Sequence, residues 1–138
     1  MPITVIASEG VFSETAERQL FADLTESLLR HHDLIGNAFL SPHVIGEVSV
    51  VPKGRSYAGG KPVDIVVVEL KLPSFTLGTG TQKESFIAEA TEAVLRASGG
   101  RQDRERIYVN VVHTADGLWG IGGRAYSNEA LMAAVAAA

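Results

Sequence analysis

Residues 63–72, VDIVVVELKL, decide the fold. Side chains alternate along a strand, so the run Ile65–Val68 points apolar groups to both faces and predicts a strand covered on both sides. Downstream lies a glycine-punctuated loop. Thr81 and Glu84 then have the spacing of a capping box, and Phe86, Ile87, Ala90 and Val94 recur as the stripe of an amphipathic helix. Gly99 and Gly100 stop it, and RIYVNVVH at 106–113 supplies another strand.

Upstream the same order is present. PITVIAS at 2–8 reads as a buried strand and EGVF turns the chain toward Ser13, a natural helix N-cap. Glu14 and Glu17 fall in the first turn, where the helix dipole favours anions, and Leu20, Phe21, Leu24 and Leu28 follow at helical spacing, predicting a helix over 14–30. VIGEVSVV at 44–51 is the next strand, ended by Pro52 and Gly54.

Aligning strand starts, Ile3 with Ile65 and Val44 with Ile107, gives offsets of 62 and 63 residues. The chain therefore reads as one α+β domain, residues 1–138, built from duplicated βαβ units at about 2–54 and 62–124. A tail helix is expected at about 127–138. Each unit needs the right-handed crossover of a parallel pair, giving a four-stranded mixed sheet with two helices on one face. The tail SNEALMAAVAAA is too short to cover the other face, so subunit association is expected.

Composition narrows the function. Twelve Lys and Arg stand against 16 Asp and Glu, interspersed as in GGRQDRERI at 99–107, which gives no nucleic-acid footprint. There is no cysteine, hence no disulfide framework or thiol nucleophile, and a reducing cytoplasmic setting is the default expectation. No apolar run approaches the roughly 20 residues of a membrane span, and no targeting segment is read. His31, His32, His43 and His113 lack ligand spacing, so no metal is expected. GRSYAGGKP at 54–62 is read as a flexible turn, and GIGGRA at 120–125 has no following strand to make it a dinucleotide site.

The chemical candidates begin with Pro2. Removing Met1 would turn its nitrogen from an amide into a free secondary amine, a base with an unperturbed pKa near about 8 that burial in an apolar pocket lowers further. Tyr108 and Asn110 share a strand face and could donate hydrogen bonds to a developing enolate oxygen, and Trp119 could line the pocket. Each also has a plain structural reading: Pro2 as a strand start, the tyrosine and asparagine as satisfied polar groups, the tryptophan as core.

A duplicated βαβ unit with Pro2–Ile3 followed by Glu9–Gly10, RIYVNVV at 106–112 and GLWGIGGR at 117–124 resembles the tautomerase superfamily. That group includes 4-oxalocrotonate tautomerase, macrophage migration inhibitory factor, malonate semialdehyde decarboxylase and cis-3-chloroacrylic acid dehalogenase. The resemblance implies a homotrimer and a cofactor-free keto–enol isomerase acting on a small enol or 2-keto acid, with Pro2 as catalytic base and Tyr108 and Asn110 facing the site. It also implies that Trp119 is the aromatic residue of a closing hairpin. The arginines that hold carboxylates in several branches have no counterpart in SEGVFSE at 8–14 or LKLPSFTLG at 70–78. Lys71 is the first candidate replacement, with Arg55, Lys61 and Arg124 as the other possibilities. The acids of the decarboxylase and dehalogenase branches have no match, which ranks those activities below plain tautomerisation. A non-catalytic ligand-binding or structural trimer is the alternative.

Overall fold

The structure is a computed structural model that describes all 138 residues. Strand β1 (Pro2–Ser8) is followed by helix α1 (Glu14–Arg30) and strand β2 (Ile45–Val51), after which β3 (Tyr57–Ala58) and β4 (Lys61–Pro62) form a small hairpin. The second unit is β5 (Val66–Pro73), α2 (Gly80–Ala97) and β6 (Ile107–Thr114). A second hairpin, β7 (Trp119–Ile121) and β8 (Arg124–Tyr126), leads into α3 (Asn128–Ala136).

The main sheet has the order β2-β1-β5-β6. β1 is parallel to β2 and β5 to β6, while β1 and β5 meet antiparallel, so two parallel βαβ units join into one mixed sheet. The alternation of each strand sorts its side chains. Ile3, Val5, Val66, Val68 and Leu70 are 0–1 % exposed on the face that α1 and α2 cover with Leu20, Leu24, Leu28, Phe86, Ala90 and Val94. The opposite face carries Thr4, Ile6, Val67 and Glu69 half-exposed, with Ile45, Tyr108 and Val112 exposed around them. Within one protomer nothing covers it.

Gly46 permits the close packing of α1 on β2: a Cβ there would lie 2.3 Å from Cε1 of Phe21 and 3.0 Å from the Ile3 carbonyl. Ser13 caps α1 by accepting the Ala16 N–H at 3.1 Å.

Several expected details differ. The β5 ladder starts at Val66, because the Ser8 hydroxyl accepts the Ile65 N–H at 2.8 Å and so replaces a ladder carbonyl. Ser8 and Ser56 hydroxyls lie 2.6 Å apart, and Ser56 donates to the Val63 carbonyl at 2.6 Å. The stretch expected as a flexible turn is therefore a pinned hairpin. The capping box of α2 is Thr79 with Gln82, rather than Thr81 with Glu84. Ile87, expected in the apolar stripe of that helix, is 40 % exposed. The tail helix spans Asn128–Ala136, capped by Ser127, and the Asn37 side chain ties it to the loop after α1 by donating to the Val135 carbonyl at 2.9 Å. No helix is long and apolar enough to cross a membrane.

Candidate active site

Pro2 opens β1, paired with Ile45 of β2 on one side. On the other, the antiparallel register Ile3–Leu70 puts Pro2 level with Lys71 of β5. Both side chains point to the helix-free face, because their neighbours Ile3 and Leu70 point into the core. The β7/β8 hairpin stands beside them. Its two-residue turn requires positive φ at both central positions, met by Gly122 (58°) and Gly123 (81°). The hairpin carries Trp119, which packs against the hydrophobic core.

These elements line an open pocket of about 420 Å³ whose walls include Met1, Pro2, His43, Lys71, Thr114 and Trp119. Three of the residues singled out in the sequence, Pro2, Lys71 and Trp119, thus share one pocket although 117 positions separate the first from the last. Lys71 is its cation, with Nζ 3.8 Å from Oε1 of Glu69. Thr114, at the end of β6, adds a hydroxyl.

Tyr108 and Asn110 lie elsewhere on the same open face. Register places Asn110 beside Glu69 and Tyr108 beside Val67, whereas Val112 is the residue beside Lys71. Tyr108 is therefore about 13 Å along the strand from the pocket row, and neither residue lines the pocket within the protomer. Arg124 is also outside it, with its guanidinium 5.3 Å from the centroid of the Tyr126 ring.

Met1 defines the chemistry of this end of β1. Its side chain is 6 % exposed, its carbonyl accepts the Ile45 N–H at 3.2 Å, and its amine donates to the carbonyl of His43. Burial lowers that amine from 8.0 to about 6. His43 was not legible as a site residue. The available signal was its place two residues before the strand that pairs with Pro2, in a turn begun by Pro42. The four histidines are dispersed: His31 contacts Glu89, His32 accepts the Leu77 N–H at 3.1 Å, His113 lies 2.8 Å from the Thr76 carbonyl, and His43 packs on Phe39.

No protein-family model matches the chain, and no curated protein matches it in sequence. Solved structures do match it in shape. The symmetric trimer of wild-type fused 4-OT superposes with a TM-score of 0.76 at 15 % identity, covering 95 % of this chain and 98 % of that one. Pt0534 inactivated by 2-oxo-3-pentynoate gives 0.74 at 16 % identity over 95 % and 98 %. N1, a member of the cis-3-chloroacrylic acid dehalogenase family, gives 0.72 at 16 % identity over 91 % and 83 %. The chain shares the fold of these structures over 91–95 % of its length.

Proposed function

We propose that this protein is a cofactor-independent isomerase that moves a proton on a small enol or 2-keto acid, with the Pro2 nitrogen as general base once Met1 is removed. The observation that carries the reading is the position of Pro2, at the wall of a pocket that also holds a lysine and a tryptophan. The strongly depressed Met1 amine supports it, because burial at this end of β1 disfavours an ammonium, and an uncapped Pro2 would inherit a related environment.

The reaction balances without a co-reactant. Pro2 accepts a proton from the carbon next to the carbonyl, the C–H electron pair becomes the C=C bond of the enol, the C=O π pair moves onto oxygen, and the oxygen takes the proton that Pro2 then gives up directly or through water. The reverse sequence forms the ketone. Lys71 would hold a carboxylate, and the Thr114 hydroxyl is the neutral donor at hand for the oxygen. Trp119 excludes water on one side.

Association extends the reading. A homotrimer is proposed from the uncovered sheet face with exposed Ile45, Tyr108 and Val112, and from the trimeric assembly of the fused 4-OT structures. Tyr108 and Asn110 lie on that face, so their proposed role requires a neighbouring copy to bring them to a site. The second reading, a ligand-binding trimer without catalysis, is favoured by one feature: the pocket's cation is a lysine already beside Glu69, with no arginine fork.

The test is isomerisation of phenylpyruvate and 2-hydroxymuconate by protein whose intact mass shows loss of Met1. Turnover that collapses in Pro2→Ala supports the isomerase. Undiminished turnover in that variant removes Pro2 as the base.

A further inference from the structure

Met1 stands between two cavities. One is the pocket of Pro2, Lys71 and Trp119; the other, about 300 Å³, lies between the end of α1 and α3 and is walled by Leu28, Leu29, Leu34, Leu40, Met132 and Val135. Met1 lines both. The second cavity is apolar except for His32, whose Nε2 is engaged by the Leu77 N–H, and Thr76, whose buried hydroxyl has no partner. Met1, 6 % exposed, lines this cavity, and its unbranched apolar side chain springs from the Cα bonded to the carbonyl that acylates the Pro2 nitrogen.

We propose that loss of Met1 joins the two cavities, and that the substrate is a 2-oxo acid with an unbranched aliphatic tail lying along the path of the Met1 side chain. This rests on the proposed role of Pro2. The reacting C3 then lies near the place of the Met1 Cα, about 3 Å from the base nitrogen. The carboxylate extends toward Lys71 in the wider pocket, and the tail runs between α1 and α3. Counted from that position, the Met1 chain ends where C7 of 2-oxoheptanoate would lie. The His43 carbonyl, which accepts from the Met1 amine, becomes an acceptor for an enol hydroxyl.

The experiment follows exchange of the C3 protons for deuterium by NMR, using Met1-free protein and the straight-chain series from 2-oxobutanoate to 2-oxooctanoate. Burying each added methylene is expected to raise kcat/KM about three- to fourfold until the tail reaches the length of the Met1 chain. Val135→Phe, which narrows the cavity, should lower the ratio of 2-oxooctanoate to 2-oxobutanoate kcat/KM. Met132→Phe serves in its place if the first variant unfolds at assay temperature. A flat series with Pro2-dependent exchange overturns the tail site and leaves the base intact. A gradient insensitive to both variants, or a preference for phenylpyruvate over 2-oxooctanoate, also overturns it. Absence of exchange throughout, or exchange equal in Pro2→Ala, overturns the reading of Pro2 and the tail site with it.

Discussion

The Met1 amine, lowered by burial from 8.0 to about 6, links residue chemistry to pH. In the Met1-retaining chain the unfolded state binds the proton more tightly, so stability should rise as pH increases through the window from 6 to 8. Thermal melts of the Met1-retaining chain across that window measure it, as a rise in the midpoint with pH. If Pro2 of the Met1-free chain is the base, it acts unprotonated, and kcat/KM should climb with pH to a plateau, with a midpoint below the ordinary amine value of about 8. Lys71→Ala should cost about 10- to 100-fold in kcat/KM for a carboxylate substrate, chiefly through KM, because a charge-assisted hydrogen bond contributes about 1.5–3 kcal/mol. Lys71→Arg should recover much of it. Pro2 and Trp119 were singled out by the resemblance and Lys71 by its place at the end of β5; that the three line one pocket follows from strand register and the hairpin. The Met1 cavity was not legible in the sequence, since it exists only where α1, α3 and the loop after β5 converge.

Elements show the same division between local and long-range information. α1 follows its sequence signals over 14–30 because Ser13, the acidic first turn and the leucine stripe agree with one another. α2 offers two overlapping boxes, Thr79 with Gln82 and Thr81 with Glu84, and pattern alone does not choose between them. The structure selects the earlier, in which Gln82 also donates to the His31 carbonyl at 3.0 Å and joins the start of α2 to the end of α1. Gly46 likewise gave no local sign of its role beneath Phe21. Gly46→Ala should destabilise the protein by about 1–3 kcal/mol through overpacking, read from denaturant unfolding. Adding Phe21→Leu should return part of that loss, a coupling that additivity would not give.

At the scale of the molecule, the sheet has one sealed face and one open face, and the sequence foresaw this from apolar residues pointing both ways along β5. Which residues share the open face followed only from register. The rows Ile45–Pro2–Lys71–Val112, Glu47–Thr4–Glu69–Asn110 and Ser49–Ile6–Val67–Tyr108 place the candidate base and the candidate donors on one surface but at different levels of it. If that surface is where copies meet, the native protein should sediment at three times the 14.6 kDa chain mass. Ile6→Lys puts a charge at the centre of the face without touching the core beneath the helices, so it should sediment as a monomer while keeping the native circular dichroism spectrum. Tyr108→Phe tests the remaining step, because it removes only a hydroxyl from a residue that cannot reach the pocket of its own chain. A trimer of unchanged mass with kcat reduced about 100-fold or more would assign that hydroxyl to a neighbour's pocket. Unchanged kcat would leave the oxygen of the enol to Thr114 and Lys71, and would make the shared face a matter of assembly rather than chemistry.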